Sequence, residues 1–356
     1  GYGMGRTLLE VTDKIFDRPI RTKPCPDCYA CNTRGKSLYD DLKDLLFGTP
    51  GIWHLKKCPN PVCGLIWLDP MPVSQDLARL YTNYHTHDRP VRKTGIIHRV
   101  HKRAQVGYLN QQWGYTLATS SKVDVFLGYL LYLHPAWRAY ADAHVMNLRR
   151  RSTSHLLEIG FGNGEVLERL QSYGWEVEGV ETDPTAVENA RNKGLNVRIG
   201  DLIDQNYPDE SFDAIVSSHV IEHVPDPLKF LIECYRILRP KGRLVFYTPN
   251  ANSWGHRLYK EYWRGLEPPR HLFLFTISSL TALARKAGFK NPISSVTDRG
   301  IGYLRESHML KKGNRRDLSG DSFMTKAIHM LSPFFSWFVC LFRPGSGSEI
   351  ILSATK

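Results

Sequence analysis

The sequence predicts an α/β fold: a doubly wound, mostly parallel sheet, preceded by a small cysteine-bearing domain and a helical connector. Three observations carry this expectation. From His155 to about Phe289, short apolar runs alternate with helical periodicity at the spacing of βαβ units. Within that stretch the run Leu156–Ile159 opens into three glycines at alternate positions, Gly160, Gly162 and Gly164, as a backbone loop at the carboxyl end of a strand does. Five of the seven cysteines, Cys25, Cys28, Cys31, Cys58 and Cys63, crowd into the first 63 residues. The expected units are residues 20–73, 74–150 and 151–356.

The cysteines come first in the chain. Cys58-Pro-Asn-Pro-Val-Cys63-Gly64 reads as half of a zinc site. The other half is Cys25/Cys28 or Cys28/Cys31. A zinc knuckle turns sharply after its second cysteine and favours a residue that tolerates positive φ there. Asn32 follows Cys31, whereas Tyr29 follows Cys28, so Cys28, Cys31, Cys58 and Cys63 are the expected ligands, with Cys25 in reserve. Four thiolates close the coordination shell and imply a structural ion. No secretory signal is evident at Gly1–Gly5, so a reducing, cytoplasmic setting is expected, where clustered cysteines bind metal more often than they pair.

Residues 74–150, rich in Tyr, Arg, His and Leu, read mostly as helix, Ala136–Leu148 for example. Two apolar stretches, Val125–Leu133 and Met330–Phe342, fall short of the roughly 18 residues a membrane span requires. Both are expected as buried helices; the alternative is peripheral contact at the inner membrane face.

In the third unit, strands are expected at His155–Ile159, Glu176–Glu181, Asn196–Ile199, Asp213–Ser217 and Gly242–Thr248. Helices are expected at Gly164–Ser172, Pro184–Lys193 and Asp226–Leu238. Gly194 suits a left-handed helix end, and Asp226 followed by Pro227 is a cap followed by a first-turn proline. Leu228, Leu231, Ile232, Tyr235 and Leu238 are expected to form the apolar stripe of the last helix.

The glycine loop excludes two ligands. A dinucleotide fingerprint from Gly160 requires glycine at 165, which is Glu; a triphosphate loop requires Gly-Lys-Ser/Thr, which is absent. The remaining pattern is E-x-G-x-G-x-G headed by Glu158. An acid beside the loop disfavours a polyphosphate and favours a cationic ligand.

At these residues the chain resembles the class I S-adenosylmethionine-dependent methyltransferases, over roughly His155–Phe289. LLEIGFGNG (156–164), VEGVETDP (177–184), IGDL (199–202), FDAIVSSHVIEHVPDP (212–227) and ILRPKGRLVFYTPN (237–250) resemble that family's motifs in order. The resemblance implies a Rossmann-like sheet with S-adenosylmethionine against Glu158 and the loop Gly160, Phe161, Gly162, Asn163 and Gly164. It implies that Glu181 binds the ribose hydroxyls beside Thr182. Asp201 and Leu202 then lie at the adenine, and Ser218 and His219 border the cofactor. CGLIWLDPMP (63–72) resembles the segment after the zinc ribbon in a subset of bacterial methyltransferases, many acting on sugars or lipid-linked saccharides.

Methyl transfer to a hydroxyl gains from a base of near-neutral pKa, for which histidine is the natural side chain. His223 is the first candidate, with Glu222 orienting it or the substrate; the alternative for His223 is a brace for its loop. His271 is the second candidate, or a core histidine at the start of a strand. His219-x-x-Glu222-His223 with His271 also resembles the metal site of small-RNA 2′-O-methyltransferases and the related motif of ubiquinone-type O-methyltransferases. His219 stands where those have an acid, which disfavours Mg²⁺ and suits a softer divalent ion. Trp254, Tyr259, Tyr262 and Trp263, interleaved with Arg257, Lys260 and Arg264, are either a substrate grip or a helix packed on the core.

Composition bounds the partners. With 356 residues, 42% of them hydrophobic, a sizeable core is expected, and the formal charge of +12 fits either anionic partners or basic residues spread over a soluble surface. The expected activity is O-methylation of a saccharide, a lipid-linked glycan or a natural-product hydroxyl. RNA-directed methylation is the alternative, and the absence of a Lys/Arg stripe in the cysteine unit counts against it. The sequence leaves the oligomeric state open.

Overall fold

The computed structural model describes residues 18–81, 96–116, 121–132, 135–151, 154–297, 301–313, 338–339 and 342–356. Most of the apolar stretch Met330–Phe342 lies outside the described residues, as do Gly1–Gly5.

The cysteine unit contributes β1 (Thr22–Lys23), β2 (Lys36–Leu42), β3 (Trp53–Lys57), β4 (Ile66–Leu68) and β5 (Met71–Pro72). A 3₁₀ segment, Ser74–Tyr81, leads to three connector helices: α1 (Ile96–Trp113), α2 (Lys122–Leu131) and α3 (Pro135–His144). Ser121 and Asp124 form a reciprocal capping box at the start of α2. Helices α1 and α2 cross closely. A Cβ on Gly107 would lie 1.8 Å from the carbonyl oxygen of Asp124, so only glycine fits there. The expected helix to Leu148 stops at His144, because Met146 and Asn147 take positive φ (51° and 52°) and Asn147 bonds the Tyr247 hydroxyl.

The third unit begins β6 (His155–Ile159), α4 (Glu165–Ser172), β7 (Glu176–Glu181), α5 (Pro184–Asn192), β8 (Val197–Ile199) and β9 (Phe212–Ser218). It continues with α6 (Pro227–Ile237), β10 (Leu238–Pro249), α7 (Trp254–Tyr259), β11 (Phe273–Leu274), α8 (Ile277–Lys286), β12 (Ile293–Thr297), α9 (Ile301–Lys311) and β13 (Glu349–Thr355). The main sheet has seven strands in the order β12-β13-β10-β9-β6-β7-β8. Strands β10, β9, β6, β7 and β8 run parallel, and β13 enters antiparallel between β10 and β12. Chain order departs in opposite directions from β6, so the crevice beyond β6 and β9 is the topological switch point where such sheets bind ligands.

Two features differ from the sequence expectation. The buried face of α6 is Phe230, Leu231, Cys234 and Ile237, while Ile232 faces solvent and Leu238 already belongs to β10. The cysteine unit is also not a separate module. Its four-stranded sheet, β11-β4-β3-β2, takes β11 from the third unit, with Phe273 opposite Trp67 and Leu274 opposite Ile66. Thr276 Oγ1 donates to the Cys63 carbonyl at 2.6 Å, and Lys286 Nζ to the Ala30 carbonyl at 2.6 Å. The cysteine unit, α6 and α8 share one core on one side of the main sheet; the connector, α4 and α5 share another.

Candidate active site

Strand β6 delivers the glycine loop to the crevice. Gly160 sits at φ 71°, and a Cβ there would lie 2.3 Å from Val220 Cγ2. The loop therefore touches the segment after β9 that carries the histidines, and a side chain at 160 would force the two apart. A would-be Cβ on Gly162 meets nothing within 4 Å, which leaves its backbone open to a ligand. Glu181, at the end of β7, accepts from the amides of Gly162 (3.0 Å), Thr182 (2.7 Å) and Asp183 (3.2 Å). Those bonds fix its carboxylate at the rim, where the family pattern places the ribose. Asn163 Oδ1 accepts from the Glu165 amide, and Phe161 is buried against Gly179, so both side chains serve the loop's own structure. Leu202 is buried and Asp201 exposed at the far side, and Ser218 ends β9 opposite Tyr247.

Glu158 is fully buried in β6, and its Oε2 has no hydrogen-bond partner. Burial pushes its pKa up to about 8; Glu181 adds to the rise and Arg169 opposes it. A buried carboxylate oxygen without a partner is costly, and it marks a place that a cationic or hydrogen-bonding ligand can satisfy. On this observation the loop fits a ligand that carries positive charge.

The histidines lie on the adjoining segment. His219 adopts φ 58°; its Nδ1 lies 3.2 Å from Glu222 Oε1 and its Nε2 2.6 Å from Glu349 Oε1. Burial alone would lower its pKa, but the two carboxylates outweigh this and raise it to about 9. Glu222 is fully buried and also accepts from Thr248 Oγ1 at 2.9 Å; against the cost of its burial, the neighbouring imidazoles hold its pKa down. Its side chain therefore bonds His219 and Thr248, and His223 Nδ1 has other partners. That nitrogen lies 3.0 Å from the Arg270 carbonyl and 2.9 Å from the Tyr81 hydroxyl. His271 Nδ1 lies 2.7 Å from the Gly265 carbonyl, and burial lowers the pKa of this ring to about 4. A carbonyl can only accept, so each ring donates to it from Nδ1 and turns Nε2 to other partners; His271 Nε2 lies 3.6 Å from Glu267 Oε2. The ring centroids of His223 and His271 are 4.7 Å apart, and one ligand atom each from Glu222, His223 and His271 lie within 4.8 Å of one another.

This cluster is braced from the cysteine unit. The Leu272 amide donates to the Glu222 carbonyl at 2.8 Å, and the Leu68 amide to the Leu272 carbonyl at 3.1 Å. Arg270 is fully buried, paired with both oxygens of Asp44 (2.7 and 3.0 Å) and with Glu267 (2.8 Å). Trp263 stacks on His256 at 4.7 Å and is buried, so it belongs to the core and not to an open aromatic grip. Sequence reasoning missed Tyr81, Thr248, Arg270, Glu349 and Tyr303, whose hydroxyl lies 3.3 Å from His219 Nδ1. Thr248 lies within the quoted stretch 237–250, which gives it no role of its own, and no local motif marks the others.

The four expected cysteines converge. Sγ of Cys28 is 3.6 Å from that of Cys63, Sγ of Cys31 is 3.4 Å from that of Cys58, and all four lie within 4.8 Å of one another. Four sulfurs around zinc at about 2.3 Å are separated by about 3.8 Å, so the donor set fits. Asn32 (φ 59°) and Gly64 (φ 63°) take the positive φ expected after each pair, and Cys25 stands outside the group.

A switch-point crevice, a glycine loop headed by a buried acid and a second acid at the end of the neighbouring strand together define a class I S-adenosylmethionine-dependent methyltransferase domain. Residues 132–292 match the family described as Methyltransferase domain. A probable S-adenosylmethionine-dependent methyltransferase of Mycolicibacterium smegmatis is 31% identical over 140 residues, which cover 38% of this chain and 51% of that protein. The ubiquinone biosynthesis O-methyltransferase of Coxiella burnetii is 31% identical over 104 residues, covering 28% of this chain and 44% of the relative. The chain thus spans about half the length of the curated relatives it matches.

Proposed function

We propose that the protein transfers the methyl group of S-adenosylmethionine to a hydroxyl of a saccharide, a lipid-linked glycan or a natural product. The observation that carries the reading is the close approach of Gly160 to Val220: it sets the cofactor loop directly against the segment that bears His223, whose Nδ1 is engaged by the Arg270 carbonyl so that Nε2 is the nitrogen left to meet an acceptor. Glu158 and the loop would hold the cofactor's methionine end, and Glu181 its ribose. The cofactor supplies a methyl carbon already activated by the adjacent sulfonium. His223 takes the acceptor's proton at Nε2, the Arg270 carbonyl fixing the ring, and Glu222 stabilises the positive charge that develops on it. Cys28, Cys31, Cys58 and Cys63 would hold a structural zinc, and β4 beside them holds Leu272 against Glu222. The O-methyltransferase name of the Coxiella relative supports an oxygen acceptor.

His223→Ala tests this. Turnover should fall by about 10²- to 10⁴-fold while cofactor binding is retained; undiminished turnover would remove His223 from the chemistry. A second reading places a divalent ion among Glu222, His223 and His271, and is supported by the convergence of their ligand atoms. Turnover that appears only on adding Mn²⁺ or Zn²⁺ to protein with a filled cysteine site would select it.

A further inference from the structure

A helix on the surface of a globular protein ordinarily turns polar side chains outward. Helix α2 does the reverse. Its inward face, Asp124, Gly128 and Leu131, packs on α1, with Gly128 so close that a Cβ would lie 2.6 Å from the Tyr108 amide nitrogen. Its outward face carries Val123, Phe126, Tyr129 and Leu130, exposed to 53%, 66%, 60% and 48%. These positions recur at helical spacing and form one side of α2. Tyr132 at its end and Trp137 and Tyr140 on α3 are also exposed, and Trp137 meets His101 of α1 edge to face at 5.0 Å. The sequence expectation of a buried helix at Val125–Leu133 therefore fails for this face.

The exposed charge of these three helices has one sign. Among the described residues, the exposed charged side chains of α1–α3 are Arg99, Lys102, Arg103, Lys122 and Arg138, all basic. The two acids of these helices are turned inward: Asp124 is held by Arg103 and the cap, and Asp142 by Tyr108 and Trp113. No described helix is long and apolar enough to cross a membrane.

We propose that the outward face of α2, with the basic rim of α1 and the start of α3, docks on an anionic lipid bilayer. Apolar and aromatic side chains enter the headgroup boundary while lysine and arginine pair with lipid phosphates, the division of labour of an interfacial helix. A second copy of the chain is the poorer occupant, because a like-on-like contact would set the basic rims against each other. RNA is poorer still, since Val123 and Leu130 offer it nothing. The inference stands apart from the proposed reaction, since vesicle binding is read without turnover.

The experiment is co-sedimentation of the full chain with phosphatidylcholine/phosphatidylglycerol vesicles and with phosphatidylcholine alone. Binding should be confined to the anionic vesicles and weaken with salt. The double variant Phe126→Ser/Leu130→Ser should lose at least about tenfold in partitioning, with unchanged Tm and cofactor binding. The pair Arg99→Glu/Lys122→Glu, which alters only exposed charge, should lose about as much. Equal binding to neutral vesicles, or undiminished binding by either variant, overturns the proposal. So does a clear fall in Tm for Phe126→Ser/Leu130→Ser, which would mean that the chain itself covers the face. Concentration-dependent dimers abolished by the same variant would assign the face to a second copy and also overturn it.

Discussion

Glu158 gives the sharpest quantitative test of the cofactor assignment. Burial lifts its pKa from the ordinary 4.5 to about 8. At about 1.4 kcal/mol per unit this is at most about 5 kcal/mol, and about half that once water entry and relaxation are allowed for. The folded pKa lies above the unfolded one, so the sign follows. Below pH 4.5 the carboxyl is neutral in both states and costs nothing; between 4.5 and about 8 only the unfolded chain ionises, and stability falls as pH rises; above about 8 the cost levels off. A cofactor bearing an ammonium and a sulfonium beside the unpartnered Oε2 would favour the carboxylate. Binding at about pH 6.5 should therefore release close to one proton, and at about pH 9 almost none. Titration calorimetry in two buffers of different ionisation enthalpy reads that number directly. Glu158→Gln should abolish the release, weaken binding and flatten the pH slope of stability in the cofactor-free protein. The same proton count in wild type and Glu158→Gln, or no release at about pH 6.5, would refute the placement of a cation against Glu158.

Other expectations follow from the same geometry. Arg270→Ala leaves Asp44 and Glu267 buried without their cation and should destabilise the protein by about 3–5 kcal/mol, read by chemical denaturation. Cys58→Ser should lose bound zinc and lower Tm, whereas Cys25→Ser, outside the cluster, should keep its metal content. His219 has a folded pKa of about 9 against 6.5, so its pairing with Glu222 and Glu349 stabilises fully below pH 6.5 and is lost as pH rises through about 9. The Tm difference between wild type and Glu349→Gln should shrink over that window; a difference independent of pH would show that the pair does not titrate.

What the sequence determined by itself is local. Short apolar runs set between helical stretches placed β6 and β7 to the residue, caps and prolines placed α5 and α6, and backbone tolerance at Asn32 and Gly64 sorted the cysteines. Each depends on neighbours within a turn or a strand, where the energetic preference is written in adjacent side chains. The tertiary structure alone decided the rest. β13 joins β10 across about a hundred residues, Arg243 opposite Thr355, and β11 joins the sheet of the cysteine unit from two hundred residues away. The Arg270 carbonyl, not Glu222, fixes His223, and the apolar face of α2 points outward although its composition reads as core. Such outcomes turn on which distant surfaces compete for burial and which buried polar atoms find partners, and no stretch of neighbouring residues encodes that competition.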